Sequence, residues 1–117
     1  MTEVHAASLG PLVEEHLALA RSAEAGRSSH TTYGGQEHRL RQTLIALAAG
    51  RSLGEHEAPG EATLQVLRGS VRLHAGTETW EGQEGDLLIV PSVRHDLEAV
   101  TDAAVLLTVV TGTRDAH

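Results

Sequence analysis

The sequence predicts an all-β barrel or sandwich with one N-terminal helix, and three observations carry that prediction. Beyond Arg39, short runs of Val, Leu, Ile and Thr are broken by glycines about every 8 to 12 residues, the rhythm of strands joined by turns. The runs Thr43 to Ala48 and Val105 to Val110 are apolar at successive positions, so both of their faces need cover. Only the stretch after Gly10-Pro11 carries a helical stripe, formed by Leu12, Val13, Leu17, Ala20 and Ala23. With 117 residues the chain is one domain, able to bury about two-thirds of its unfolded surface. Aromatic residues make up 2% of it, Tyr33 and Trp80 alone, so the core has to be built from Leu and Val.

The helix has Glu14 and Glu15 toward its positive end and Arg21 toward its negative end, and it is expected to stop at Gly26. Its apolar face is small, so it needs the rest of the protein to dock on. Residues 27–36 are rich in Ser, Thr and Gly and read as an extended linker or edge strand carrying His30 and Tyr33. Eight strands follow: Leu40 to Ala48, Leu53 to Ala58, Ala62 to Leu67, Ser70 to His74, Thr77 to Trp80, Leu87 to Val90, Arg94 to Ala99 and Ala103 to Val110. Residues 1–37 thus form the helix and edge segment and 38–117 the barrel, within a single domain overall. One face of the doubly apolar strands lines the barrel. The other is expected to meet a second sheet, the N-terminal helix or another subunit, and a homodimer is the economical expectation.

Charge and composition exclude several functions. Sixteen acidic residues against nine arginines and no lysine give a net charge of −7, which repels a nucleic-acid backbone. Without Cys there is no disulfide, no thiolate metal site and no thiol nucleophile. No apolar run approaches the ~20 residues of a membrane span, and Glu3 and His5 stand where a signal peptide would carry Lys or Arg, so a soluble cytoplasmic protein is expected. There is no Gly-rich loop leading to Lys-Ser/Thr or opening a helix as a phosphate cradle, and no Gly-x-Ser-x-Gly setting for a nucleophilic serine.

Two segments carry the chemistry: Gly50-Arg-Ser-Leu-Gly-Glu-His56-Glu-Ala58-Pro-Gly-Glu61-Ala62 running on to Gly69, and Gly85-Asp86-Leu-Leu-Ile-Val-Pro91-Ser-Val-Arg-His95. Together they resemble the two motifs of the cupin superfamily over roughly residues 44–110. That resemblance implies a cupin-type double-stranded β-helix, or jelly-roll barrel. It also implies a small molecule inside the barrel, often next to a divalent metal, in members that act as oxygenases, isomerases, cyclases or ligand sensors. Metal-binding members supply His, His and Glu from the first motif and His from the second. Here His56 matches the first ligand and His95 the last, but Ala58 stands in place of the second His and Ala62 in place of the Glu.

What remains can be reasoned from the residues. Two imidazoles plus one carboxylate suit Fe(II), or Zn, Ni or Mn with water in the open positions. Glu61 is the candidate third ligand if a bulge at Pro59-Gly60 turns it inward. An inward Glu61 brings Thr63 and Gln65 with it and makes a polar pocket, whereas an inward Ala62 brings Leu64 and Val66 and makes an apolar one that suits a nonpolar ligand. Arg41 and Gln42 point to opposite faces of their strand, and Gln42 is a candidate polar anchor in the pocket. His74 is expected on the surface and His16 at a boundary, and His30 and His38 are given no role. The leading expectation is a small-molecule-binding cupin whose His56 and His95 hold a divalent metal and carry any catalysis. The alternatives are a metal-free binding or sensing module, and metal-free acid–base chemistry by one histidine.

Overall fold

The computed structural model describes residues 6–35, 37–57 and 60–111. Helix α1 (Leu9–Ser22) is followed by strands β1 (Arg27–Tyr33), β2 (Leu40–Leu47), β3 (Gly60–Arg68), β4 (Ser70–Ala75), β5 (Glu78–Gln83), β6 (Leu87–Ile89), β7 (His95–Ala99) and β8 (Ala103–Thr111). All strand pairs are antiparallel. They form a five-stranded sheet in the order β1-β2-β8-β3-β6 and a three-stranded sheet in the order β5-β4-β7.

The two sheets close on an aliphatic interior. Ile45 and Leu47 of β2, Ala62, Leu64 and Val66 of β3, Val71 and Leu73 of β4, Leu97 and Ala99 of β7, and Ala103, Val105 and Val109 of β8 form one buried cluster. The alternating partners on β2 and β8, Leu44, Ala46 and Ala104, join a second cluster with Val13, Leu17 and Ala20 of α1. The second apolar face of these strands is therefore covered by the helix, one of the three covers the sequence left open. Arg68 and Glu14, 2.7 Å apart, tie β3 to the helix.

α1 starts earlier than the Pro11 signal and ends four residues before Gly26. The Ser22 hydroxyl turns back to the Leu19 carbonyl at 3.2 Å, and Gly26, with φ of 71°, swings the chain into β1. Residues 27–33 pair with β2 as the outermost strand of the larger sheet.

Of the expected strand Leu53 to Ala58, the described part, residues 53–57, is not a regular strand. Residues 50–56 run beside β7, exchanging backbone hydrogen bonds through Gly50, Arg51, Leu53 and His56, but form only isolated bridges, Ser52 with Glu98 and His56 with His95. Gly54, with φ of 89°, bends the segment away from a continuous ladder, and its N–H donates to the Asp96 carboxylate at 2.8 Å. Gly69 makes the tight β3–β4 turn with φ of 79°, and a Cβ there would collide with the Asp102 carbonyl.

Candidate functional site at the barrel mouth

The isolated bridge between residues 56 and 95 creates the site. Each residue's N–H donates to the other's carbonyl at 2.9 Å, a closely hydrogen-bonded antiparallel pair whose side chains must emerge on the same face. That face is the barrel interior, because His95 alternates with Leu97 and Ala99, which point into the core. The two rings meet edge to face with centroids 4.7 Å apart. They are neighbours on adjacent chain segments rather than partners facing each other across the cavity. His95 is 5% exposed, whereas His56 stands at the open rim.

Both imidazoles are oriented in the same way. His56 Nδ1 lies 2.9 Å from the Gly54 carbonyl, and His95 Nδ1 lies 2.9 Å from the Val93 carbonyl. A carbonyl oxygen only accepts, so each Nδ1 carries the proton and donates it. In the neutral rings each Nε2 is then left with its lone pair, as a ligand or hydrogen-bond acceptor.

The other residues singled out from the sequence distribute differently. Ala62, Leu64 and Val66 face inward and are packed into the core, while Glu61 and Gln65 are exposed on the opposite face of β3. A Glu61 turned toward the histidines and a Gln65 lining the pocket are thus corrected: the strand alternates from Gly60 to Val66, before its register shifts ahead of Arg68, and burying Ala62 fixes the faces of residues 61–66. Gln42 is corrected too. It shares the helix-side face of β2 with Leu44, and its amide donates to the Thr108 hydroxyl at 3.1 Å. Ala58 lies outside the described residues. Among the described residues no three His, Asp or Glu side chains gather as a metal site.

Next to the histidines is a cavity of about 510 Å³ that sequence reasoning missed. Its walls are Leu73 and Ala75 of β4, Trp80 of β5, and Leu88, Ile89, Pro91 and Val93 from β6 and the loop after it, with Glu78 and Thr79 at one end. Neither histidine is itself among the lining residues; the link is through His95, which pairs with Ala75 and whose Nδ1 is held by the Val93 carbonyl, both of them cavity residues. The alternation Glu78-Thr79-Trp80-Glu81-Gly82, matched against Leu73 and Val71 on β4, was the available signal, since it sends Trp80 and Gly82 inward together. A Cβ at residue 82 would collide with the Trp80 ring, so this glycine lets the indole lie along the strand.

The Gly85-Asp86 element of the second motif has a structural job. Gly85, with φ of 94°, turns the chain, Asp86 Oδ2 accepts the Gln83 N–H at 2.8 Å, and the Gly85 N–H and Asp86 carbonyl bond to Val66. This pins the start of β6 against β3 and aims Pro91 to His95 back across the barrel.

Comparison with known proteins agrees with this architecture. Residues 43–111 match the family described as Cupin domain. A conserved protein of unknown function from Streptococcus pyogenes is 30% identical, with a TM-score of 0.68 over 76% of this chain and 77% of that one. A cupin superfamily protein from Desulfitobacterium hafniense is 20% identical, with a TM-score of 0.70 over 81% and 86% of the two chains. The salicylate 1,2-dioxygenase of Pseudaminobacter salicylatoxidans is 20% identical, with a TM-score of 0.70 over 86% of this chain but 33% of that one, a likeness of fold alone. No curated protein matches in sequence. The family match spans well over half of the chain and coincides with the barrel strands from β2 to β8, so the chain belongs to the cupin family.

Proposed function

We propose that this cupin is a small-molecule-binding protein in which the Nε2 atoms of His56 and His95 make the polar contacts to an organic ligand seated in the neighbouring cavity. One observation supports this above the rest. Two imidazoles, each held through Nδ1 by a backbone carbonyl, sit side by side, and His95 adjoins Ala75 and Val93 in the wall of an apolar cavity of about 510 Å³, within the size range of small-molecule sites.

The donor set does not fit a resident, tightly held metal. Such a metal takes at least three protein ligands in its catalytic sites, and here two imidazoles stand without a carboxylate beside them among the described residues. A second reading, a loosely held Fe, Zn, Ni or Mn ion on the two Nε2 atoms, is favoured by the tautomer lock, which leaves both lone pairs available.

A thermal-shift panel of small organic compounds and divalent metal salts on the wild type and on the His56→Ala/His95→Ala double variant separates the two readings. The expected result is stabilisation by an organic compound, lost in the double variant, with no stoichiometric metal by elemental analysis. Metal present at one equivalent and lost with the histidines would replace the first reading by the second. Ligand stabilisation that survives the double variant would overturn both.

The assembly belongs to the same proposal. Leu87 and Ile89 are 61% and 69% exposed on the short edge strand β6, which leaves one side of the larger sheet open to a second copy. A homodimer through this edge predicts that Ile89→Glu converts a dimer to a monomer in light scattering. A wild-type monomer would remove the dimer and leave the ligand proposal standing.

A further inference from the structure

The cavity beside the histidines has an uneven charge, and that unevenness selects among ligands. Glu78 is the one ionisable side chain among its lining residues, and no arginine lines it. Glu78 and Trp80 are two residues apart on β5 and therefore share its inward face, with the carboxylate at the exposed end and the indole deeper, against Leu73. Two arginines on neighbouring segments pair with other carboxylates. Arg72 lies on the outer face, held by Glu81 at 2.8 Å, and Arg94 lies 3.4 Å from Glu55. An anionic ligand would enter an apolar space against a carboxylate that forms no ion pair among the described residues, on a chain whose net charge is −7.

We propose that the cavity takes an apolar organic amine in its protonated form, with the ammonium placed between the Glu78 carboxylate and the Trp80 ring and the hydrocarbon part against Leu73, Leu88 and Pro91. This rests on the ligand-binding reading given above and adds the ligand's chemical class. A cation gains twice in this arrangement, from the carboxylate and from the negative face of the indole, the better of the aromatic partners for such a contact. A carboxylic acid of the same size loses at Glu78 and finds no fork of guanidinium donors to offset the loss. Gly82 contributes by keeping the indole flat along the strand, since any side chain at that position would push the ring out into the cavity.

Trp80 is the sole tryptophan, so its fluorescence reports directly on occupancy. Three probes of matched shape and different charge provide the test: 2-phenylethylamine, 2-phenylethanol and phenylacetate. Each is titrated into the wild type, Glu78→Gln and Trp80→Leu, with calorimetry in place of fluorescence for the last. Glu78 is exposed, so its replacement leaves the fold in place. The expected result is an affinity for the amine about tenfold above that for the alcohol and further above that for the acid. Glu78→Gln should bring amine and alcohol together, and Trp80→Leu should weaken the amine more than the alcohol. Equal or tighter binding of the acid, or an amine preference that persists in Glu78→Gln, overturns the proposal while leaving the cavity as a ligand site. Failure of all three probes to bind overturns the proposal as well. The His56→Ala/His95→Ala panel then decides separately whether the ligand-binding reading survives.

Discussion

Among the described residues two histidine pairs meet ring to ring, and they sit in opposite circumstances. Under the helix, His16 is 7% exposed, its Nδ1 is hydrogen-bonded to the Ser28 hydroxyl at 2.6 Å, and its ring lies 5.4 Å from that of His30. At the barrel mouth, His95 is equally buried, but its Nδ1 bonds to the backbone two residues before it and its ring lies 4.7 Å from that of His56. In the first pair a side-chain hydroxyl from another element satisfies the imidazole, and the bond joins helix to sheet. In the second pair each ring is held by a carbonyl two residues back in its own segment, so the bond joins no second element. Burial alone therefore does not mark an imidazole as structural or functional. The origin of the hydrogen-bond partner separates the two: the His16 ring is tied to another element, the His95 ring to its own segment.

Substitutions that load one region and spare the other sharpen this contrast. The largest effect is expected at the helix: Leu17→Ala removes a fully buried side chain from the α1–β2–β8 cluster and should cost about 3 kcal/mol in urea unfolding, with ligand binding at the mouth unchanged. His16→Ala leaves a cavity and an unpartnered Ser28 hydroxyl, for about 2 kcal/mol in the same measurement. If His95→Ala proved as costly to stability as His16→Ala, the contrast between the pairs would break.

A smaller effect attaches the helix end to the barrel. Asp102 accepts from Arg21 at 2.7 Å and from the Ala49 N–H at 2.9 Å, and the Arg21 bond, followed by the backbone one, holds its carboxyl below the ordinary aspartate range. A group depressed in the folded state stabilises it above the unfolded pKa and loses that contribution as pH falls through the folded value. Wild-type stability should therefore drop below about pH 4, and the drop should be shallower in Asp102→Asn. At neutral pH that variant should lose about 1 kcal/mol, modest because the ion pair is partly solvated. The smallest effect belongs to the rim: His56→Ala should change stability by less than about 0.5 kcal/mol while abolishing ligand-induced thermal shifts. A large loss of stability there would assign His56 to the fold.

Much of the fold was legible in the residues. The glycine rhythm located seven of the eight barrel strands expected after Arg39, because turns that need positive φ advertise themselves through glycine. The exception, the expected strand Leu53 to Ala58, has strand-like composition, yet Gly54 bends its described part, and whether such a segment joins a ladder depends on its neighbour β7 rather than on its own sequence. The doubly apolar strands correctly demanded two covers, but periodicity cannot identify the covering element. It is α1, whose small stripe matches Leu44, Ala46 and Ala104.

The candidate site was legible to a lesser degree. Motif spacing picked out His56 and His95, since imidazoles at those two places are chemically conspicuous. The face presented by residues 61 to 66 was left open because a single-residue slip at Pro59-Gly60 reverses every later side chain. Only packing against β8 and β6 decides it, by placing Ala62, Leu64 and Val66 in the interior. The cavity was hidden for a related reason. Trp80, Leu88 and Pro91 belong to separate elements, and their common wall exists only once the two sheets are stacked. Sequence by itself determined the aliphatic barrel, the turns and the identity of the two histidines, because these depend on local conformational preference and on which side chains are present. Tertiary structure alone decided which faces are inside, that the helix is the outer cover, and that the histidines are neighbours beside an apolar cavity, because these depend on register and on contacts between residues distant along the chain.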